Sequence, residues 1–211
     1  MASFALVATV DEGARDDVAM RLRTVPPFEL PLEGIDGHQV FLGAEHAAFV
    51  FWGGDPEGAL VRVSGQSDVR ERVAQAADGL RAPRMLEPVF DSGDMGHVSP
   101  AGCAVAVIAR GADARPDTAG RAQALAAGLG ALLERQRLFA GDGVALFVFE
   151  RSEDAPAGAA LPLDAIAEVA PIVPLRALEV LEQTYWFEAG DQLPPRPADG
   201  IVDAGDGASE R

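Results

Sequence analysis

The N-terminal half of the sequence alternates short apolar runs, which are typical of β-strands, with stretches of helical character. Phe4–Val10 is one such run and ends at two acidic residues, and the helical stretch after it is stopped by Pro26. Two further runs surround Gly43 and predict a β-hairpin. The predicted elements, in the order βαββαβ, are strand Phe4–Val10, helix Ala14–Thr24, strands Gln39–Leu42 and Ala47–Trp52, a helix from Ser67 to Gly79, and strand Arg84–Phe90.

The C-terminal half repeats this order with a better defined first helix. Leu125, Leu129, Leu132 and Leu133 have the spacing of one helix face. The strand that should follow falls on Arg135–Arg137, which is polar, so we expect this segment to extend the helix. The predicted elements are strand Cys103–Ile108, helix Thr118–Gln136, strand Ala145–Glu150, helix Leu163–Val173 and strand Ala177–Phe187, with a disordered acidic tail from Gln192.

A repeated sequence pattern connects the two halves. Phe49-Val50-Phe51 recurs 98 residues later as Phe147-Val148-Phe149, and further matches follow in the same order at separations of 95 to 98 residues. Among them, Phe4–Val10 aligns with Gly102–Ile108, and the acidic residue Asp91 aligns with Glu188. The pattern predicts two copies of one domain, over residues 1–97 and 98–191, followed by the tail 192–211.

The strands of both copies are apolar on both faces. In Phe49–Trp52 the odd and even positions point to opposite sides of a sheet, and both sets are large and apolar. Helices cover one face, so a second sheet must cover the other. The predicted fold class is α+β, with two tandem ferredoxin-like βαββαβ units packed sheet to sheet as an intramolecular pseudo-dimeric α+β barrel.

In this order of elements, repeat and two-faced strands, the chain resembles the dimeric α+β barrel superfamily in a single-chain form. The strand ends Leu86–Phe90 and Val180–Phe187 are also similar to those of small uncharacterised actinobacterial members. The resemblance implies binding of small apolar molecules between sheet and helices. Trp52, Tyr185 and Trp186 are the candidate lining residues, although aromatic side chains on such strands more often belong to the core.

Composition narrows the classes of partner. The chain has 211 residues, 17 basic against 33 acidic, and a net charge of −16, which disfavours nucleic acid and anionic membranes. Lys is absent, which removes Schiff-base chemistry and the lysine of a P-loop. A single cysteine, Cys103, excludes an intramolecular disulfide. The start of the chain has no basic leader, and no apolar run approaches a membrane span, so we expect a soluble cytoplasmic protein.

The superfamily includes cofactor-independent monooxygenases and haem proteins, but the haem residues do not carry over. The haem-degrading members use an Asn, and this chain has none. Members of the chlorite dismutase type use a histidine in the second repeat, whereas no histidine follows His97 here. The sequence therefore predicts no cofactor.

Candidate catalytic residues are few. His38 and His46 flank a predicted strand and could reach the same end of the sheet as an acid–base or metal pair. Arg21 and Arg23 of the first helix are the other candidates. Acid pairs at matched strand ends could bind a divalent cation, but a polar strand terminus beside a Gly turn explains them better, so no metal site is predicted. These pairs are Asp91 with Asp94, and Glu188 with Asp191.

Two classes of function follow. Ionisable groups are sparse on the predicted strands, which favours a non-catalytic module that binds a small apolar molecule or a protein partner. The alternative is a cofactor-independent monooxygenase, isomerase or cyclase that acts on a polyketide-like or quinone-like molecule and needs a positioned acid or base. Either protein would be a monomeric pseudo-dimer or a homodimer.

Overall fold

The computed structural model describes residues 2–22, 34–93, 104–110, 118–129, 133–151 and 178–188. None of the helices in these ranges combines the length and the apolar character needed to cross a bilayer. The described elements, in chain order, are β1 (Ala2–Val10), α1 (Arg15–Leu22), β2 (Ile35–Leu42), β3 (His46–Gly53), α2 (Pro56–Gly65), α3 (Ser67–Ala76), β4 (Leu80–Asp91), β5 (Ala104–Arg110), α4 (Thr118–Leu129), β6 (Leu133–Gly141), β7 (Val144–Arg151) and β8 (Leu178–Glu188).

The strands form one closed antiparallel barrel in the order β1-β3-β2-β8-β5-β7-β6-β4. Each half contributes four neighbouring strands, β4-β1-β3-β2 and β8-β5-β7-β6, so the two halves have the same internal order. The pairs β2–β8 and β4–β6 join the halves and close the barrel. The fold is therefore α+β with an eight-stranded antiparallel barrel.

Both faces of the barrel wall are covered, as the two-faced strands predicted. Side chains such as Val50 and Ile108 fill the interior together with Phe41 and Leu146. The outer face of the first half packs under α1 and α2, and that of the second half packs under α4 through Ala122. Burial of apolar surface on both sides of the wall stabilises the barrel.

The two halves pair their strands in the same register. Phe51 lies opposite His38 in the first half, and Phe149 lies opposite Gln136 in the second. Each residue of one pair is thus 98 positions from its counterpart in the other, the separation that the sequence match gave. We call positions that have the same place in the strand pairing of the two halves equivalent.

Two of the sequence alignments are out of register. Phe4 lies opposite Phe51, and the residue that lies opposite the equivalent Phe149 is Val105, three positions beyond the predicted Gly102. Asp91 lies opposite Arg137, whereas the residue opposite the equivalent Gln39 is Trp186, two positions before the predicted Glu188. The halves differ in the lengths of their connections, and strand pairing is unaffected by those differences.

The prediction of a helix that continues to Gln136 is wrong. α4 ends at Leu129, and a strand begins at Leu133. Arg135 and Arg137 make the sequence of this strand look polar. Both side chains are nevertheless buried, because each pairs with an acidic residue of another strand. Local periodicity cannot distinguish such a strand from an exposed helix end.

A helix that the sequence analysis did not predict, α2, follows β3. Asp55 is its N-cap and accepts a hydrogen bond from the Gly58 backbone N–H at 3.1 Å, and Pro56 stands at the first helical position. Both residues are typical helix starts. The predicted helix Leu163–Val173, Cys103 and the tail lie outside the described residues.

Candidate functional site

Polar side chains collect at one end of the barrel, where β1, β2, β5 and β6 begin and the other four strands end. We call it the polar end, and the opposite end, with the β2–β3 and β6–β7 hairpins, the hairpin end. Arg137 is buried at the polar end, with 1% of its surface exposed. Its Nη2 donates to Glu150 Oε1 at 2.6 Å and to Gln39 Oε1, and its guanidinium lies 5.5 Å from the Trp52 ring centroid.

These four residues, the interior cluster, comprise two pairs of equivalent positions. Gln39 is the equivalent of Arg137, and Trp52 is the equivalent of Glu150. Burial lowers the pKa of Arg137, and the neighbouring Glu150 opposes that shift. Removing two charges from water is expensive, and the ion pair and its hydrogen bonds offset that expense. Among the described residues, Gln39 Nε2 and Arg137 Nε have no hydrogen-bond partner.

A second ion pair lies beside the interior cluster. Arg135 donates from Nε and Nη2 to the two carboxylate oxygens of Asp91, at 2.8 and 2.6 Å. The Gly93 N–H donates to the same carboxylate at 3.1 Å. Of the acid pair Asp91 and Asp94, which the sequence analysis assigned to a polar strand terminus and not to a metal site, Asp91 is thus engaged by an arginine, while Asp94 lies outside the described residues.

A cleft of about 420 Å³ opens between α4 and the ends of β4 and β6, and we call it the α4 cleft. Gln136 contributes to the wall of the cleft, although only 1% of its surface is exposed. The Gln136 main chain is held by Ser92, through its N–H to Ser92 Oγ at 2.8 Å and its carbonyl from the Ser92 N–H at 2.9 Å. Both atoms of its side-chain amide are buried without a partner among the described residues. The cleft is lined by Phe90, Asp91, Ser92, Gln123, Ala126, Ala127 and Gln136.

His38, a predicted catalytic candidate, lies in the wall of the barrel. Its ring stacks on Phe51 at 5.7 Å between centroids, and Phe51 packs with Phe4 and with Ala59 of α2. Burial lowers the pKa of His38 to about 3, so the imidazole is neutral at physiological pH. The surroundings of His38 are those of a core residue.

His46, the second histidine candidate, lies at the hairpin end. It is five positions along β3 from Phe51, the residue opposite His38, so the histidines are roughly 16 Å apart along the strand direction. The structure thus separates the pair that the sequence placed at one end of the sheet. His46 Nδ1 instead forms a 2.5 Å hydrogen bond with Glu179 Oε2, and Glu179 Oε1 accepts from the Glu45 N–H at 2.7 Å.

The remaining candidates are distributed over the molecule. Arg21 Nη2 donates to the Asp78 carbonyl at 2.6 Å and so ties α1 to the turn after α3. Trp52 lies inside the barrel and not between sheet and helices, because its strand face turns inward. The main chains of Tyr185 and Trp186 pair with β2. Arg23 lies outside the described residues.

Sequence reasoning missed the residues that give the polar end its chemistry. The signal for Arg137 and Gln136 was present, since a polar tripeptide stands where the first half has a strand. Glu150 had a weaker signal, as an acidic residue that ends an apolar run. Their partners could not be read from the sequence, because barrel closure brings them together.

The comparisons with known proteins identify the fold. An anthrone oxidase-like protein is 11% identical, with a TM-score of 0.52 over 92% of this chain and 95% of the other. A proposed monooxygenase from Lactobacillus acidophilus NCFM is 10% identical, with a TM-score of 0.52 over 90% and 98% of the two chains. Another from Fusobacterium nucleatum is 7% identical, with a TM-score of 0.54 over 91% and 96%.

No protein-family model matches the sequence, and no curated protein sequence matches it. At identities this low, the three structural likenesses show a shared fold. The chain has the barrel architecture of these three proteins along nearly its whole length.

Proposed function

We propose that this protein binds a small molecule with polar groups on an apolar frame in the α4 cleft and that Gln136 recognises it. The observation that carries this proposal is the Gln136 side chain, whose amide oxygen and nitrogen are both buried at the cleft without a partner among the described residues. An unsatisfied buried polar group costs about 1–3 kcal/mol, so its retention calls for a reason. A ligand that hydrogen-bonds to the amide supplies one.

The lining of the cleft defines the chemistry of the ligand. The amide of Gln136 donates from one atom and accepts at the other, which suits a ligand with adjacent carbonyl and hydroxyl groups. Phe90, Ala126 and Ala127 supply apolar surface. The net charge of −16 disfavours an anion. The volume of about 420 Å³ lies in the range of small-molecule sites.

The architecture proposed with this function is a monomeric pseudo-dimer of two ferredoxin-like units, residues 1–97 and 98–191, with 192–211 as a tail. The identical strand order and register of the halves support it. Native mass spectrometry would show one chain per particle. The resemblance to actinobacterial proteins and the cytoplasmic location stay predictions.

Binding is tested with dihydroxyanthraquinone, a coloured tricyclic quinone with adjacent carbonyl and hydroxyl oxygens. Wild-type protein is expected to bind it, and Gln136→Leu is expected to weaken binding about tenfold, because one or two hydrogen bonds are lost at nearly constant volume. The matched control is Gln75→Leu, the same change at an exposed position of α3. Equal affinity in wild type and Gln136→Leu would show that the amide does not recognise the ligand.

A second candidate function is a cofactor-independent oxygenase. It is favoured by the Asp91 carboxylate in the wall of the cleft and by the anthrone oxidase-like and proposed monooxygenase neighbours. The reaction to test is oxidation of anthrone by O₂ to anthraquinone and water, in which Asp91 would have to leave its ion pair with Arg135 to accept the ring proton.

An oxygen electrode measures this activity directly. Uptake of O₂ with anthrone above the uncatalysed rate, lost in Asp91→Asn, would support the oxygenase. If the protein binds the quinone but O₂ uptake is no faster than in buffer, the oxygenase proposal fails and only the binding function remains.

A further inference from the structure

We propose that Glu45, His46 and Glu179 at the hairpin end form a binding site for a divalent zinc-type ion. One imidazole nitrogen and two carboxylates offer ligand atoms that all lie within 4.8 Å of one another. Imidazole and carboxylate are ligands that Zn²⁺ takes, and three protein ligands with a water complete a tetrahedral site. We call these residues the hairpin cluster; it lies at the other end of the barrel from the α4 cleft.

The position of Glu179 is fixed by the hairpin that it contacts. Its Oε1 accepts the backbone N–H groups of Glu45 at 2.7 Å and His46 at 3.3 Å. Gly43 leaves space for this carboxylate, because a Cβ there would overlap Glu179 Oε1. The second oxygen, Oε2, is thereby held against His46 Nδ1. His46 and Glu179 are thus held together, with 10% of the His46 side chain and 14% of the Glu179 side chain exposed.

The equivalent junction, where β4 contacts the β6–β7 hairpin, has fewer side-chain contacts among the described residues. Glu179 lies opposite Ile108, and its equivalent Arg84 lies opposite Val7. Arg84 Nη1 donates to the Asp142 carbonyl of the other hairpin at 3.2 Å. That junction links strand and hairpin with one described side-chain hydrogen bond, so the link itself does not require an imidazole with two carboxylates. The additional ligand groups at the hairpin cluster are what indicate an ion.

Metal binding would replace the hydrogen bond between His46 and Glu179. Nδ1 and Oε2 lie 2.5 Å apart, and the ion would take the position between them, with any proton there displaced to solvent. The ligand atoms must then move apart by roughly 0.5–1 Å, since zinc-ligand distances near 2 Å set the spacing of two ligands. Glu45 lies on the exposed hairpin and could supply the second carboxylate, which is the third protein ligand, by a change of rotamer.

The test uses the full-length protein and Zn²⁺, with millimolar Mg²⁺ present to occupy weak acidic sites. Calorimetric titration of wild type is expected to show one tight site, and Co²⁺ is expected to give the visible absorption of a tetrahedral complex. His46→Gln should abolish the Co²⁺ spectrum and weaken Zn²⁺ binding at least tenfold. Glu57→Gln, an exposed acidic position on α2, is the control and should bind as wild type does.

Glu45→Gln is a second variant that leaves the contacts of Glu179 with the hairpin backbone in place. It should weaken Zn²⁺ binding about tenfold with unchanged apo stability in urea. The proposal would be overturned if wild type takes up no Zn²⁺ under these conditions. It would also be overturned if His46→Gln binds as tightly as wild type, since binding would then lie elsewhere on the acidic chain.

Discussion

His38 and Gln136 occupy equivalent positions on the outer face of the two halves, but their surroundings differ. His38 stacks on Phe51, which α2 covers through Ala59. Gln136 lies beside α4, where a cleft of about 420 Å³ remains open. The strand registers are the same, so the covering helix decides whether this position is enclosed in the core or lines an open cleft. The comparison shows that the same strand position is covered in the first half and borders a cleft in the second.

Inside the barrel, equivalent positions meet each other. Gln39 and Arg137 are hydrogen-bonded across the polar end, and Glu150 neutralises the arginine where the first half has Trp52. A charge thus stands in the second half at each of two positions where the first half has a neutral side chain. The sharpest tests of the comparison change one residue of the pair Trp52 and Glu150, or one residue of the pair His38 and Gln136.

The largest effect is expected for Glu150→Gln, which leaves Arg137 buried without its counter-charge. The free energy of unfolding should fall by about 3 kcal/mol, measured by urea denaturation. The double variant Arg137→Met with Glu150→Leu should recover most of that loss, because it removes both charges. A single variant as stable as wild type would mean that Glu150 does not balance Arg137.

An effect of intermediate size is expected for His38→Gln, which gives the first half the residue of the second. The pKa of His38 is about 3 in the folded protein against 6.5 unfolded, so the unfolded state binds the extra proton as the pH falls through this window. Wild type therefore loses about 1.4 kcal/mol of stability per pH unit below 6.5 through this residue.

The His38→Gln variant should lose less stability on acidification. The difference between the free energies of unfolding of wild type and variant, plotted against pH, isolates the contribution of the histidine from that of the carboxylates. The free energy of unfolding is measured by urea denaturation at several pH values. Parallel curves for wild type and variant between pH 6.5 and 4 would contradict a neutral buried His38.

The smallest effect is a gain in stability. Gln136→Leu replaces an amide that has no partner among the described residues with an apolar group of similar volume. The free energy of unfolding without ligand should rise by about 1 kcal/mol. A fall of that size in the free energy of unfolding would show that the amide is hydrogen-bonded, and the cleft would lose its recognition group.

The sequence predicts the strands with apolar residues on both faces better than the polar strand. Phe49-Val50-Phe51 and its counterpart lie in β3 and β7 as expected. The local pattern extends the preceding helix over the first residues of β6, as far as Gln136, because Arg135 and Arg137 look exposed in it. Their burial depends on Asp91 and Glu150, which other strands supply.

The candidate site was less predictable for the same reason. The stacking of His38 on Phe51 and the meeting of Gln39 with Arg137 depend on strand pairing and barrel closure, which residue spacing alone does not reveal. Glu179 and His46 come together only because β8 pairs with β2. Local patterns therefore do not reveal the carboxylate partners of His46, Arg135 and Arg137.

Closure of the barrel by β2 and β8 also determines when the chain can complete its fold during synthesis. Gly37 lies opposite Glu188, so β2 cannot form these hydrogen bonds until the residues near position 188 have been synthesised. Until then the inner face of the first half, with Val7, Phe41 and Trp52, lacks the strands that bury it. Such long-range pairing folds slowly and exposes apolar sheet meanwhile. A nascent chain stalled after its first half would present that sheet to the ribosome's surroundings, where chaperones or aggregation partners compete for it.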